Sequence, residues 1–504
     1  MLATIASATL SGIDGAPVAV EVHVANGLPG FTVVGLPDVS CREARDRVRA
    51  ALLTSGFAWP DRRTTVNLAP TAVRKIGSSL DLAIAIGVLV ASGQVSAEVV
   101  SDRAFVAELG LDGSLRRVPG VLSLVDACVP PEVIVAPDAH TEAALLVGAT
   151  VRCAPDLRTL VDALLAETPW PRPPDVSPPT TPIDGPDLAE VGGHPVARYA
   201  LEVSAAGGHH LLMVGPPGSG KTMLADRLPG LLPDLDDRTA FDVTRVHSAA
   251  GAAPCARLIR RPPLRAPHHG MSPVALVGGG THRLRPGEIS LAHGGVLFLD
   301  ELGEYSAVAL DALRQPLEEG VIRLARAEVR VELPARFLLV AAMNPCPCGE
   351  GMVPAACRCS DRSVERYRRR LSGPLLDRFD LRIDVHRVDA HDLLSGQRSE
   401  SSSDVAERVR RVRDLAAQRG VRCNAELSSR ALDHHAPLST SATDLLHRAL
   451  ESGRLSARGM RRVWRVARTI ADLDDSPGPL TDAHIAGALH LRTDPAFLIR
   501  PVVG

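Results

Sequence analysis

Lysine is nearly absent from this chain of 504 residues. Of 56 basic residues only Lys75 and Lys221 are lysines, which leaves 54 arginines. Chemistry that needs an amine is therefore confined to two positions. Lys221 lies inside Gly215-Pro-Pro-Gly-Ser-Gly-Lys-Thr222, where a compact ammonium reaches between phosphates and a planar guanidinium is too broad. Aromatic residues are scarce, at 3%, so the core has to be built from Ala, Val, Leu and Ile. Long apolar runs are missing too: the longest, Leu80–Ser92, falls short of the ~20 residues that span a bilayer. It reads as a buried helix, and no membrane partner is expected. The first residues lack the charged and apolar regions of a secretory signal. Nine cysteines without such a signal predict reduced thiols and a cytoplasmic protein. A net charge of −2 excludes a uniformly basic nucleic-acid binder but allows a local basic channel.

What is present divides the chain into segments. Residues 1–165 mix short β-rich runs (Val18–Val24, Phe31–Val34, Thr64–Leu68) with two helical stretches, Cys41–Leu53 and Leu80–Ser92. A proline-rich stretch, Thr168 to Pro182, can neither donate to a ladder nor continue a helix, and makes 166–185 a semi-rigid linker. Residues 186–395 alternate apolar strands (His210–Val214, Val296–Leu299, Phe337–Ala341) with helical patterns, the signature of a parallel α/β sheet. Residues 396–504 open on a Ser/Asp stretch, Ser399–Asp404, and read as a helical lid.

The phosphate-loop pattern follows the apolar run Leu211–Val214 and leads into Met223-Leu-Ala225, the strand–loop–helix context such a loop requires. Gly215, Pro216, Pro217, Gly218, Ser219 and Gly220 would present backbone N–H groups to phosphates. Lys221 would meet the β- and γ-phosphates, and the Thr222 hydroxyl would ligate Mg²⁺. Val296-Leu-Phe-Leu-Asp-Glu301 is a buried strand delivering two carboxylates: Asp300 for the magnesium shell and Glu301 to orient and deprotonate water. A third strand ends in Met343-Asn344-Pro345, where a polar residue such as Asn344 can sense the γ-phosphate or align water. Leu375-Leu-Asp-Arg378-Phe-Asp380 and Leu455-Ser-Ala-Arg458 supply two further candidates.

Together with Ala266-Pro-His-His-Gly270, Gly278-Gly-Gly280, Pro286-Gly-Glu-Ile-Ser-Leu-Ala-His-Gly-Gly295, Leu313-Arg-Gln-Pro-Leu-Glu318 and Asn344-Pro-Cys-Pro-Cys-Gly349, this set resembles the magnesium-chelatase-like AAA+ ATPases, most closely the ComM/YifB family. The resemblance covers nearly the whole chain. It implies ATP and Mg²⁺ as cofactors, Asn344 as sensor 1, Arg378 as an arginine finger, Arg458 as sensor 2, and a homohexameric ring. It also implies a branch-migration helicase acting on branched or single-stranded DNA without sequence preference, in homologous recombination or natural transformation. A chelatase-type motor subunit that remodels a protein partner is the alternative, and a non-hydrolysing scaffold conflicts with Glu301.

Cys346-Pro-Cys348 and Cys357-Arg-Cys359 bracket eight residues inside 346–359. Two close pairs can surround one Zn²⁺ tetrahedrally in a closed structural site; reduced loop thiols or a redox pair are the other readings. Arg265, His268, His269, His282, Arg283 and Arg285, and the alternating Val321–Leu333 with Arg326-Ala-Glu328 near its turn, resemble pore-lining inserts of ring motors. Arginines there would track phosphates, with a salt-bridged hairpin as the plain alternative. His268-His269 reads as a hydrogen-bonded loop pair rather than a metal site. The basic helices Arg408–Arg413 and Arg461–Arg468 receive no DNA role. Around Lys75-Ile-Gly-Ser-Ser-Leu-Asp-Leu82 the chain resembles the nucleophile segment of Lon-type proteases, with Ser79 at the nucleophile position. No lysine lies between Lys75 and Lys221, and Leu122 stands in the matching stretch. The expectation is a non-proteolytic domain of ribosomal-S5 type, with Lys75 contacting an acidic partner or DNA, or capping the helix.

Overall fold

A computed structural model describes residues 1–174, 185–280, 284–326, 329–351, 356–371, 373–388, 399–453 and 455–492. His282, Arg283, Ala327, Glu328 and most of the second half of the proline-rich stretch lie outside the described residues. The architecture is mixed α/β with two large sheets and a helical C-terminal region.

The first sheet has seven strands in the order Gly30–Val34, Arg63–Ala69, Asp14–Ala25, Leu2–Ser11, Arg103–Val106, Glu132–Val135, Thr150–Cys153. Leu2–Ser11 and Asp14–Ala25 form an antiparallel hairpin, and the Arg103, Glu132 and Thr150 strands continue from it in parallel. The apolar run recognised in the sequence is the helix Asp81–Ala91, every residue of which is buried. Two neighbours allow a helix without a polar face. Gly87 faces Val22, so that a Cβ there would come within 2.5 Å of the valine side chain. Asp81, the one carboxylate, is met by Arg47 Nε at 2.7 Å.

The second sheet is wholly parallel, in the order Leu264–Arg265, Val296–Leu299, Leu338–Met343, Leu211–Val214, Leu381–Asp384. Three of these are the strands expected from apolar runs. Each consists of buried residues throughout, as strands covered on both faces must be. The C-terminal helices Ser402–Gln418, Thr440–Glu451, Ala457–Leu473 and Asp482–His490 share one apolar core with the Leu211 and Leu381 strands. Several arginines in and beside these helices turn back into the protein. Arg408 is paired with Glu202 and Glu400, Arg413 donates to Ala205 O, and Arg419 pairs with Asp472.

The two sheets are joined by a packed contact. Ile13, at the tip of the first hairpin, is buried in the apolar cluster of the second sheet. Gly12 beside it has φ 69°, and a Cβ there would lie 3.0 Å from Val331. Gly120 N donates to Ser248 O at 2.9 Å, and Arg245 pairs with Asp14. Val331 belongs to the antiparallel hairpin Val321–Arg326/Val329–Pro334, so the first sheet rests on the very hairpin expected to line a pore.

Lys75 requires a correction. It is fully buried, and its Nζ donates to Pro70 O. Burial lowers its pKa. A lysine enclosed in this way contacts neither DNA nor a partner, and Leu80 stands at the helix cap.

Candidate nucleotide site

In a parallel sheet the C-terminal strand tips share one edge, and register decides which tips meet. Val214 pairs with Met343, and Leu299 with Ala341. The loop after Val214, Asp300 after Leu299 and Asn344 after Met343 therefore converge. Gly215 starts the loop where a Cβ would lie 2.0 Å from Val385 O, so only glycine fits. Gly218 and Gly220 have φ 74° and 83°, values glycine adopts freely. Lys221 opens the helix Lys221–Arg227, and its Nζ donates to Gly215 O and Pro216 O, each at 2.8 Å. Ser219 Oγ and Asn344 Oδ1 stand 3.4 and 3.5 Å from it. Desolvation lowers the Lys221 pKa, with Asp300 pulling it back up. An ammonium buried against carbonyls alone is poorly compensated, and a phosphate is the ligand that corrects this.

The Thr222 hydroxyl donates to Asp300 Oδ2 at 2.7 Å, and Asp300 Oδ1 accepts from Glu301 N at 2.8 Å. A hydroxyl and a carboxylate oxygen this close fit a hard, oxygen-ligated ion such as Mg²⁺. Glu301 takes a left-handed backbone, φ 52°. Its Oε2 is 2.9 Å from Nδ1 of His269, and the rings of His268 and His269 stack at 4.1 Å. His268-His269 is thus a loop pair; the metal-capable cluster among the described residues is the cysteine set. Sequence reasoning missed the Glu301 contact. The sequence carried no signal for it: the contact arises because Leu264–Arg265 neighbours Val296–Leu299 in the sheet, so both tips end at the same edge.

A cavity of about 370 Å³ adjoins the loop, lined by His194, Val196, Ile383, His386 and His490 among others. His194 reaches Gly220, with Nε2 3.3 Å from where a Cβ would stand. Nothing in the sequence had marked these histidines.

Arg378 and Arg458 are not at this edge. Leu211 pairs with Leu381 and Val214 with Asp384, so Arg378 precedes its strand where the phosphate loop follows the neighbouring one. Four residues of strand, about 13 Å, separate the two levels. Arg378 pairs with Glu318. Burial lowers its pKa, as do the neighbouring charges of Arg462, Arg458 and Arg314. A cavity of about 750 Å³ lies at this opposite edge and is lined by Arg336, Arg378, Arg462 and Arg465 with Glu318 and Asp380, among others.

The four cysteine sulfurs lie within 4.8 Å of one another. Sγ of Cys346 is 3.3 Å from that of Cys348 and 3.6 Å from that of Cys357. Disulfides need about 2.05 Å, whereas tetrahedral zinc with ~2.3 Å bonds separates its sulfurs by about 3.8 Å, so the set fits zinc. Amides of Glu350 and Arg358 lower the Cys348 pKa to about 6, which favours the thiolate that a metal needs. Of the expected pore residues, Arg265 is held by Glu288 at 2.6 and 2.8 Å, and Arg323 sits between Glu319 and Glu332. Arg285 is exposed. Ser79 is buried, and its hydroxyl donates to Ala8 O at 3.1 Å.

Residues 187–393 match the family model for magnesium chelatase subunit ChlI, 20–137 match a second model for subunit ChlI of Mg-chelatase, and 399–492 match the ChlI C-terminal model. The competence protein ComM of Haemophilus influenzae is 43% identical over 97% of both chains. The chain belongs to the ComM/YifB family of magnesium-chelatase-like AAA+ proteins. YifB of Escherichia coli is 41% identical over 97% of this chain and 96% of its own. A Mycobacterium tuberculosis relative is 46% identical over 96% and 97% respectively. A shorter stretch, 31% of this chain, is 26% identical to 20% of the minichromosome maintenance protein MCM of Saccharolobus solfataricus. Membership of the AAA+ class suggests ATP hydrolysis with ATP and Mg²⁺. No helix among the described residues is long and apolar enough to cross a membrane.

Proposed function

We propose that this family member is an ATP- and Mg²⁺-dependent ring motor that drives branch migration on DNA during homologous recombination or natural transformation. The carrying observation is the convergence of Lys221, the Thr222–Asp300 pair and Asn344 on three adjacent strand tips. On this reading the loop amides and Lys221 bind the β- and γ-phosphates, and Thr222 with Asp300 holds Mg²⁺. Glu301 takes the proton of the attacking water, and Asn344 orients that water against the γ-phosphate. The base enters the cavity beside His194.

Arg378 and Arg458 stand at the far edge, out of reach of the nucleotide bound by their own subunit. They serve a neighbour's, which supports a closed homohexameric ring. The DNA part rests on the relatives named for competence and for minichromosome maintenance, and on the Val321–Pro334 hairpin. The Cys346, Cys348, Cys357 and Cys359 set would hold a structural Zn²⁺. The N-terminal unit of residues 1–165 is read as a Lon-like, S5-type scaffold without peptidase activity, because Ser79 has no lysine to activate it.

ATP turnover measured with and without four-way or three-strand DNA tests this reading. Lys221→Ala should lose nucleotide binding; Glu301→Gln should bind ATP and not hydrolyse it. Branched DNA that neither stimulates turnover nor is processed sinks the helicase reading and leaves the ATPase standing. The matches to ChlI models over all three segments favour, in that event, a motor that remodels a protein partner.

A further inference from the structure

The turn that carries Arg378 is itself held by arginines. Arg382 Nη2 donates to Leu376 O at 2.7 Å and Arg462 Nη1 to Arg378 O at 3.1 Å. Arg492 Nη1 donates to Phe379 O at 2.5 Å and to Asp380 O at 2.9 Å. Carbonyls of a buried turn need donors, and three guanidiniums from different parts of the chain supply them. Their fork geometry suits several acceptors at once.

Arg462 differs from the other two in where it comes from. It belongs to the helix Ala457–Leu473, one turn after Arg458. The nitrogen that meets Arg378 O is also 2.5 Å from Asp380 Oδ1. Asp380 is buried, and His209 Nδ1 stands 3.5 Å from its other oxygen. Its backbone N donates to His210 O at 3.0 Å, at the foot of the phosphate-loop strand. Burial alone would raise the Asp380 pKa; His209 and the Arg462 charge outweigh it and hold the carboxyl well below the usual carboxylate range. Removing the guanidinium would take from this buried charge its closest cation.

We propose that Arg462 is a positioning residue for Arg378: it ties the Arg378 turn and the Arg458 helix into one body, so that both arginines reach a neighbouring subunit's nucleotide together. The geometry requires such a tie. Arg378 comes from the core sheet and Arg458 from the C-terminal helices, and two arginines closing on one phosphate must keep a fixed separation to within about an ångström. The guanidinium of Arg378 is otherwise parked against Glu318, and only its backbone is anchored to the helix. This inference rests on the trans-acting reading of Arg378.

The test exploits that reading. Arg462→Gln should bind ATP with unchanged affinity and assemble normally, while kcat falls about 10²-fold and KM stays the same. Mixed with Lys221→Ala, which binds no ATP but carries an intact Arg378 edge, it should regain turnover well above the sum of the two parents. A silent mixture, beside an active mixture of Arg378→Ala with Lys221→Ala, would place Arg462 within its own subunit's folding and overturn the proposal while sparing the ring. If both mixtures are silent, the trans-acting reading fails and takes the proposal with it. Should Gln unfold the chain, Arg462→Lys is the variant to use. One ammonium does not reproduce the guanidinium fork, so kcat should fall about 10-fold and recover on mixing. A wild-type kcat would overturn the proposal.

Discussion

Oε2 of Glu301 lies 2.9 Å from Nδ1 of His269. The residue assigned to activate water is thus held by a histidine from the loop after the neighbouring strand, on a backbone turned left-handed at a cost of about 1–3 kcal/mol. The pair is half exposed, and such pairs are worth about 0–1 kcal/mol. That is enough to bias the carboxylate, not to lock it. His269→Ala should therefore raise ATP turnover in the absence of any polymer, by up to about 5-fold, and shrink the relative stimulation by DNA. Steady-state phosphate release checks this. A fall in basal turnover would show that His269 supports Glu301 rather than restraining it.

Gly349, inside the cysteine loop, sits on the phosphate loop. It has φ 85°, and a Cβ there would lie 2.4 Å from Cδ of Pro217. Gly349→Ala meets both a strained backbone and a clash with a rigid ring. It should destabilise the protein by about 1–3 kcal/mol and weaken nucleotide binding. Denaturant midpoints and fluorescent-nucleotide titration report the two effects separately.

The sulfur cluster makes a stoichiometric prediction. Purified protein should carry close to one zinc per chain, and Cys346→Ser or Cys348→Ser should lose it. Because the loop packs on Pro217, loss of zinc should also lower nucleotide affinity. Elemental analysis showing no metal in the purified protein would remove zinc and leave reduced thiols.

Stability should decline on the acid side through a histidine. His293 is buried, and its Nδ1 accepts the N–H of Arg336 at 3.1 Å. Burial, reinforced by Arg422 and Arg336, lowers its pKa to about 4, against an unfolded value near 6.5. Between these values the unfolded chain binds the extra proton, so stability is full above pH ~6.5 and is lost as pH falls towards ~4, by at most about 3 kcal/mol. Urea melts at pH 7 and pH 5 should show the loss. His293→Gln, whose amide oxygen can accept the same N–H, should reduce the loss, the remainder falling to His210, whose pKa burial likewise lowers to about 4.

Much of the second sheet was legible because its strands are short, apolar on both faces and bounded by glycine or acid. Leu211–Val214 and Val296–Leu299 announce themselves in this way, and the buried helix appeared one residue shorter at each end than its apolar run. Alanine, threonine and arginine interrupt the patterns of the strands Leu2–Ser11, Arg103–Val106 and Thr150–Cys153, and Glu132–Val135 offers only three apolar residues in a row, too short a run to mark a strand. Lys75 misled: rarity suggested a contact, and the fold encloses it. The pocket beside His194 had no local signal, because its walls come from residues far apart in the chain.

The sequence by itself determined the local chemistry: a glycine-rich loop ending in the one lysine fit for phosphates, an Asp-Glu pair at the end of an apolar strand, and four cysteines in two close pairs. Spacing along the chain carries that information, because each motif is a few residues long. Tertiary structure alone decided which of these meet. Parallel register brings Lys221, Asp300 and Asn344 to one edge and sends Arg378 to the other. Packing also sets His269 on Glu301, Gly349 on Pro217, and Arg462 between the Arg378 turn and the Ala457–Leu473 helix. Distances of this kind depend on strands and helices remote in sequence, and only their packing fixes them.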